Sequence, residues 1–305
     1  MKRIFNIIIA VMLFLFIFNK VTLLFVRKGN GYGTDILNFY AQKNNSIDIV
    51  FLGSSHTYSS FNPYIIEAKT GLNGYNFATQ QQPIWITYFY LKELLKYQKP
   101  KYVVIDVHLL VSMNSDYAEE QVNRDAIDKM KFSLNKISMI NECVKKNDRV
   151  AYYFNIIKYH SRYKSLNDND YDTIFKGRTV NNKGYIALEY KNKVFDYSNI
   201  GINNDIIEIG KKSEVYLDKI INFSKNKNYK LIFVKTPAIY SKVEYSKLNY
   251  INKYLTDRGE IFINFVKKND ELGLDYRRDF YDSGHLDKEG SEKFSNYFVK
   301  YLKEE

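Results

Sequence analysis

Cysteine is almost absent from this chain of 305 residues. The one thiol, Cys143, has no partner, so an intrachain disulfide and a cysteine-rich metal site are both excluded. A buried position is the usual one for such a cysteine, and we predict it here. Proline and glycine are also scarce, with 4 and 14 residues, so we expect no long disordered linker.

The motifs that define several other classes of protein are also missing. The sequence has no glycine-rich phosphate loop, no dinucleotide fingerprint and no metal-ligand spacing, so we predict no cofactor and no metal. The formal net charge is +11, yet the basic residues are spread along the chain and form no basic arm. This distribution favours an anionic membrane or glycan as partner, and we expect no nucleic acid.

One long apolar run is present, at the N-terminus. Residues 4–26 are mostly apolar and long enough to span a bilayer if Lys20 extends toward the lipid headgroups. Basic residues follow the run, without the small residues of a signal-peptide cleavage site. We therefore predict an uncleaved, single-pass membrane anchor over residues 1–28, which contacts membrane lipid, and a connector over 29–46. Basic residues flank both ends of the run, so charge alone does not orient it.

The rest of the chain alternates short apolar runs with helical patterns. Continuous apolar runs of this length suit strands that are buried on both faces of a parallel sheet. The strand candidates are residues 47–52, 75–78, 102–107, 231–234 and 261–266. The helix candidates are residues 63–69, 83–97, 213–225, 246–257 and 287–301.

This alternation predicts an α/β fold, a three-layer sandwich with a mostly parallel central sheet. Residues 113–206 interrupt the rhythm with helical stretches and a polar, asparagine-rich stretch. We predict a mainly helical insertion there, inside a single domain over residues 47–305.

Two polar stretches stand out at opposite ends of that domain. The first strand candidate runs into GSSH, residues 53–56, and ligands of open α/β sheets bind at the carboxyl ends of strands. Near the C-terminus, Asp282 and His285 are three residues apart in a loop before the last helix. This spacing lets the carboxylate orient the imidazole, whose free nitrogen can take a proton from a serine.

With these two motifs, the sequence resembles the SGNH (GDSL-type) hydrolase superfamily over about residues 47–302, with the insertion unmatched. It looks most like the membrane-anchored acyltransferase branch that includes the D-alanyl-lipoteichoic acid biosynthesis protein and alginate-type O-acetyltransferases. The superfamily's Gly-x-Ser motif points to Ser55 as nucleophile. Its closing Asp-x-x-His motif assigns His285 as the base and Asp282 as the orienting carboxylate. The resemblance implies an SGNH-like domain with a flavodoxin-like strand order.

The sequence departs from the superfamily at its further oxyanion donors. Ala78 stands where a glycine is expected, although its backbone N–H can still donate. After the third strand the chain reads DVH, residues 106–108, without the Gly-x-Asn-Asp of the superfamily. The candidate oxyanion and substrate-binding residues are Ser55, Ala78, Gln80, Gln81 and His108.

Several of these residues also have ordinary structural explanations. Ser55 as a turn serine and Ser54 as the true nucleophile are two separate alternatives. His285 also fits a structural cap near a helix start, and Asp282 fits a solvated loop carboxylate. We expect His56 to be exposed or to cap a helix, and Asp106 to cap a helix or loop. His108 fits a core position and a substrate contact equally well.

The resemblance implies a membrane-anchored serine O-acyltransferase or esterase that modifies a cell-surface glycan or teichoic-acid-like polymer through an acyl-enzyme. It also implies an extracytoplasmic domain and a multipass membrane acyltransferase as partner. The weakened oxyanion motifs leave an alternative, a weak or inactive SGNH-like scaffold that binds an envelope polymer or that partner. Transfer and simple hydrolysis differ only in whether water reaches the acyl-enzyme, which the sequence does not show.

Overall fold

The computed structural model describes residues 2–26, 36–113, 115–175, 182–189 and 201–302. Its five strands are β1 (Ile49–Gly53), β2 (Gly74–Ala78), β3 (Tyr102–Asp106), β4 (Lys230–Lys235) and β5 (Ile261–Asn264). They form one sheet in the order β2-β1-β3-β4-β5, and every neighbouring pair is parallel. All five strand candidates of the sequence are therefore confirmed, and the order is the flavodoxin-like one.

Both faces of the sheet are covered, which explains the continuous apolar runs. In β1, Ile49 and Phe51 belong to one buried apolar cluster, whereas Val50 and Leu52 belong to the other. Successive strand residues point to opposite faces, so a strand that is buried on both sides shows no polar alternation. The predicted three-layer α/β sandwich is confirmed.

Helices surround the sheet and fill the segment between β3 and β4. The helix bounds are α1 (Lys2–Phe25), α2 (Ile36–Tyr40), α3 (Ser55–Ser60), α4 (Pro63–Thr70), α5 (Ile84–Leu94), α6 (His108–Ser112), α7 (Glu120–Ile127), α8 (Leu134–Cys143), α9 (Arg149–Tyr153), α10 (Ile156–Tyr159), α11 (Asp168–Phe175), α12 (Lys211–Ser224), α13 (Lys242–Thr256), α14 (Asn269–Leu272) and α15 (Lys288–Phe298). Short 3-10 helices cover Lys146–Asp148, His160–Ser165, Phe265–Lys268 and Val299–Leu302. Helices α5, α12 and α13 contribute to the cluster on one face, and α4 and α15 contribute to the other.

Local capping explains where the predicted helix bounds were right and where they were wrong. Asn62 accepts hydrogen bonds from the N–H groups of Tyr64 and Ile65, so α4 begins at the predicted proline. Helix α13 begins at Lys242, four residues before the predicted start, because Ser241 and Glu244 form a capping box.

Aromatic rings hold the C-terminal helix against the start of the sheet. The rings of Phe51 in β1 and Phe61 after α3 stack with centroids 4.2 Å apart. Phe294 and Phe298 of α15 each meet the Phe61 ring edge-on at 5.1 Å. Because all four side chains are fully buried, this cluster fixes the end of the chain beside the helix that begins at Ser55.

Two serines of α15 add buried hydrogen bonds to this junction. The hydroxyl groups of Ser291 and Ser295 donate to the carbonyl oxygen of Ser60, at 3.1 and 3.2 Å. The Ser295 hydroxyl also accepts from the Asn62 N–H at 2.8 Å. They satisfy backbone groups that the end of α3 leaves without helical partners.

The N-terminal helix α1 is long and apolar enough, by length and composition, to cross a membrane. An N-terminal signal sequence would meet the same criterion. The end of the predicted anchor at residues 27–28 lies outside the described residues, as do residues 176–181 and 190–200 of the predicted insertion. Within the predicted connector, α2 buries Ile36 and Phe39 in the main apolar cluster. The domain bounds remain predictions.

We predict that Phe51→Ala lowers the free energy of unfolding by about 3–5 kcal/mol, because it leaves a cavity inside the aromatic cluster. Phe132→Ala is the matched control, since that ring is 63% exposed, and its effect should stay within about 0.5 kcal/mol. Urea unfolding of the full chain in detergent measures both. Equal effects of the two variants would contradict this assignment of the core.

Candidate active site

The serine stretch lies at the carboxyl end of β1, an interior strand of the sheet. Gly53 ends the strand with φ +152°, and a Cβ there would lie 2.2 Å from Thr57 Oγ1 and 3.1 Å from Asp106 Cβ. Only glycine tolerates both the backbone angle and the close contact. The chain then enters α3 directly, so Ser55, its first residue, stands at the edge of the sheet.

Ser55, His285 and Asp282 form a continuous chain of hydrogen bonds. The distance from Ser55 Oγ to His285 Nε2 is 2.8 Å, and that from His285 Nδ1 to Asp282 Oδ1 is also 2.8 Å. The serine and the histidine are 230 positions apart in the sequence. The structure thus brings together the three residues that the sequence analysis selected for a triad.

The environment of Asp282 determines which nitrogen of His285 carries the proton. Burial raises the pKa of Asp282, but the hydrogen bond and charge of His285 and the N–H groups of Gly284 and His285 outweigh it, so that this pKa lies below its usual range. The ionised carboxylate can only accept, so His285 Nδ1 must donate to it. In the neutral imidazole, Nε2 is then free to accept the proton of the Ser55 hydroxyl.

Backbone contacts hold the loop that carries the histidine. Asp282 Oδ1 accepts from the N–H groups of Gly284 and His285, each at 2.8 Å. A short antiparallel bridge joins Phe280 to Leu286 across the loop. The Ile239 N–H donates to the Ser283 carbonyl at 2.7 Å, which ties the loop to the segment after β4.

Three imidazole rings lie side by side at this edge of the sheet. The rings of His56 and His108 stack with centroids 3.4 Å apart, and the ring of His56 lies 4.4 Å from that of His285. Burial lowers the pKa of His56 well below its usual range, and His108, Lys235 and His285 lower it further. The expectation that His56 is exposed or caps a helix is wrong, because α3 begins at Ser55 and turns residue 56 inward, leaving it 2% exposed.

Tyr240 sets the orientation of the His108 ring. The Tyr240 hydroxyl lies 2.8 Å from His108 Nδ1. Burial raises the pKa of Tyr240 well above its usual range, and burial together with Lys235 and His285 lowers that of His108. Both groups are therefore neutral, and the buried Tyr240 hydroxyl has no other acceptor among the described residues, so the phenol donates to Nδ1 and the remaining proton of His108 is on Nε2. This nitrogen has no hydrogen-bond partner among the described residues, and His108 lines the adjoining cavity.

Lys235 is a fully buried cation at the end of β4. Its Nζ donates to the carbonyl and hydroxyl oxygens of Thr236, at 2.6 and 3.0 Å. Burial lowers its pKa to about 8, although Asp106 and Glu244 act against this. The ammonium group lies 5.2 Å from the centre of the Tyr240 ring. Its charge helps to keep the two neighbouring histidines neutral.

A cavity of about 630 Å³ opens beside the serine. One part of its wall is polar, with Gln80 and Gln81, and another is apolar, with Leu109, Met113 and Val122. Leu109 lies in α6, Met113 follows that helix, and Val122 lies in α7, so the apolar part is formed where the predicted insertion begins. The cavity lining also includes Ser55, His56, His108, Leu188, Tyr281, Asp282 and His285. Across the described ranges, no group of three His, Cys, Asp or Glu residues is placed to hold a metal ion.

The remaining candidates lie apart from the cavity. Ala78 is fully buried in β2, where it pairs with Gly53, and it is not part of the cavity lining. Ser54 is 1% exposed and does not line the cavity. Asp106 caps the turn after β3, as expected, because it accepts from the N–H groups of His108 and Thr236.

Sequence reasoning missed Lys235 and Tyr240. A lysine that ends an apolar strand run is a signal that could have found the first of them, because the ends of parallel strands share one edge of the sheet. Tyr240 lies in a loop that no periodic pattern marks. The buried position predicted for Cys143 is confirmed, at 0% exposure.

Comparisons with known proteins give only distant matches. No protein-family model matches the chain, and no curated protein matches it. Similar solved structures include a G-D-S-L family lipolytic protein from Desulfitobacterium hafniense DCB-2 and the acetyl xylan esterase Est2A from the rumen bacterium Butyrivibrio proteoclasticus. The first is 11% identical over 84% of this chain and 99% of its own, with TM-score 0.40. The second is 11% identical over 85% and 64%, with TM-score 0.34. At this level the matches carry no argument about activity.

We predict that Asp282→Asn destabilises the protein at neutral pH and that the difference disappears in acid. The pKa of Asp282 is lower in the folded protein than in the unfolded chain, where it is 3.8, so its carboxylate stabilises the folded state at pH values above 3.8. This stabilisation is lost as the pH falls through the pKa of the folded state. Unfolding free energies measured from pH 7 downward test this. Asp116→Asn, at an exposed acid outside the loop, is the control. A destabilisation by Asp282→Asn that does not change with pH would contradict the charge argument.

Proposed function

We propose that this protein is a membrane-anchored serine O-acyltransferase or esterase that acts on a cell-surface glycan or teichoic-acid-like polymer. The observation that carries the proposal is the hydrogen-bonded chain from Ser55 through His285 to Asp282, at the mouth of a cavity. A serine that only closes a turn has no need of a base aligned by a carboxylate. The SGNH-like sequence motifs and the strand order agree with this assignment.

In the first half of the reaction, Ser55 Oγ attacks the carbonyl carbon of an acyl ester while its proton passes to His285 Nε2. The tetrahedral intermediate collapses, the ester C–O bond breaks, and the alcohol leaves with the proton from His285. In the second half, a sugar hydroxyl or water gives its proton to His285 and attacks the acyl-enzyme. The ester to Ser55 then breaks, and the serine recovers its proton.

The oxyanion of each intermediate needs hydrogen-bond donors beside Ser55. The Ser55 N–H lies at the start of α3 and has no acceptor among the residues that the structure describes. We assign the second donor to His108 Nε2–H, because Tyr240 fixes the proton on that nitrogen and the ring lines the cavity. Ala78, which the sequence analysis favoured, is less suitable because it is fully buried at the end of β2 and does not line the cavity.

The two parts of the cavity wall suit the two substrates. Leu109, Met113 and Val122 offer an apolar surface to the acyl group, whereas Gln80 and Gln81 can hydrogen-bond a hydroxyl-bearing acceptor. Helix α1 would hold the domain at the cell membrane as a single-pass anchor, with the domain extracytoplasmic. A multipass membrane acyltransferase would deliver the acyl group, and the formal charge of +11 suits an anionic polymer.

A scaffold without activity is the second candidate. The observation in its favour is that Ala78 lies where a second backbone donor is expected, yet is buried within β2. Such a scaffold would bind an envelope polymer or the membrane partner, and its function would survive replacement of Ser55.

We predict that a fluorophosphonate probe adds once to the full chain and that Ser55→Ala abolishes the adduct. His285→Ala should also abolish it, because the serine then lacks its base. Ser54→Ala is the matched control and should keep the adduct, since this neighbouring serine is buried away from the cavity. Intact-mass analysis measures all four proteins. Loss of the adduct in Ser54→Ala with retention in Ser55→Ala would overturn the choice of nucleophile.

We predict that His108→Ala lowers kcat for p-nitrophenyl acetate by about 10²–10³-fold with little change in KM, the usual cost of one oxyanion donor. Tyr240→Phe should lower kcat less, because the ring stays but its tautomer is no longer fixed. His108→Gln should recover part of the loss, since its amide can donate. Unchanged kcat in folded His108→Ala would show that the histidine plays no part in binding the oxyanion.

A further inference from the structure

The segment beside the N-terminal helix exposes large apolar side chains. Phe154 and Ile157 are each 50% exposed, and Tyr163 is 63% exposed. We call these three residues the Phe154 surface. They lie in three consecutive short turns, from the end of α9 through α10 to the 3-10 helix His160–Ser165. Single exposed apolar residues are ordinary, but a group on neighbouring turns indicates a binding surface.

This surface is continuous with α1. The ring of Phe154 meets the ring of Phe18 edge-on, with centroids 6.3 Å apart. Helix α1 also contacts α10, α11 and the 3-10 helix that carries Tyr163. The side chains of the Phe154 surface therefore belong to the elements that flank the apolar helix.

Arg162 fixes where α1 leaves these elements. Its Nη1 donates to the carbonyl oxygens of Phe25 and Val26, each at 2.9 Å, and its Nη2 donates to Asp170 at 3.0 and 3.1 Å. Asp170 is 1% exposed, so the guanidinium group has a buried counter-ion. The last carbonyls of α1 are thus satisfied by protein and not by water.

The position of Phe18 along α1 determines how deep its neighbour Phe154 lies in the bilayer. Phe18 lies seven residues before Phe25, which corresponds to about 10 Å along the helix axis. When α1 spans a bilayer with its C-terminal end at the interface, Phe18 is below the headgroups. Phe154 touches it and must then lie at a similar depth. Lys164 follows Tyr163 and is exposed, which suits an anionic headgroup layer.

From these contacts we infer that the Phe154 surface inserts into the lipid bilayer that holds α1. The inference rests on the part of the proposed function that makes α1 a membrane anchor, and it is independent of catalysis. The domain then has two attachments to the membrane, α1 and the Phe154 surface, and does not swing freely on its anchor. The entrance of the active site keeps a fixed height and tilt above the lipid, which suits an acyl donor or acceptor held at the membrane.

A nitroxide spin label at Ile157→Cys in the full chain tests this in vesicles of equal parts phosphatidylcholine and phosphatidylglycerol. The native Cys143 is fully buried, and burial raises the pKa of its thiol, so the new cysteine is labelled selectively. Oxygen concentrates in lipid and a nickel chelate stays in water, so their relative effects on the label report its depth. Val243→Cys is the matched control, because Val243 is 56% exposed and lies in the first turn of α13, whose main contacts are with α6 and β5.

We expect oxygen to affect the label at residue 157 more than the nickel chelate does, which places that label in lipid. For the label at residue 243 we expect the nickel chelate to have the larger effect, which places it in water. Tyr163→Cys gives a second reading if the variant at 157 does not fold. If the nickel chelate has the larger effect on a label at residue 157 or 163, the inference is overturned, and the Phe154 surface is assigned to a protein partner. Leu13→Cys in α1 separates the two claims. If the label at residue 13 lies in lipid while the label at residue 157 lies in water, α1 is a membrane anchor but the Phe154 surface does not insert. If the label at residue 13 lies in water, neither the anchor nor the inserted surface is correct.

Discussion

A single hydrogen bond of 2.8 Å between Ser55 and His285 depends on most of the fold. The serine follows the first strand and the histidine lies in the loop before the last helix, so the ends of the domain must meet at one edge of the sheet. The aromatic cluster around Phe61 and the two serines of α15 hold these ends together. Gly53 then lets the chain turn sharply from strand to helix, and Asp282 orients the imidazole. Packing, backbone geometry and electrostatics therefore all help to hold Ser55 Oγ within hydrogen-bond distance of His285 Nε2.

The sequence predicted the fold well because its strongest pattern is the one that parallel sheets impose. Strands buried on both faces are mostly apolar, and all five apolar runs became strands, including β5, which is only partly buried. The hydrogen-bonded contact of Ser55, His285 and Asp282 was also predictable, since both motifs are short and each lies at a strand or helix end. Proline and asparagine marked the start of α4, whereas the capping box at Ser241 lay before the clear apolar period and was missed.

The surroundings of the triad could not be predicted because they depend on contacts between distant elements. His56 follows Ser55, and the direction of its side chain depends on α3 beginning at Ser55. Lys235 and Tyr240 come from the end of β4 and the loop after it, and they act on His108 only because the sheet places those ends side by side. The stacked histidines are kept neutral by burial and by the Lys235 charge. Their stacking depends on contacts between distant elements and has no signal in the local sequence.

The central claim is that Ser55 forms an acyl-enzyme, and mapping the acyl group tests it most directly. The full chain would be mixed with p-nitrophenyl acetate, quenched in acid during the first turnover, digested and fragmented in a mass spectrometer. The account predicts one acetyl ester, on Ser55, formed together with a burst of nitrophenol stoichiometric with protein. An acetyl group on Ser54 or elsewhere, or no ester on a protein that is demonstrably folded, would contradict it.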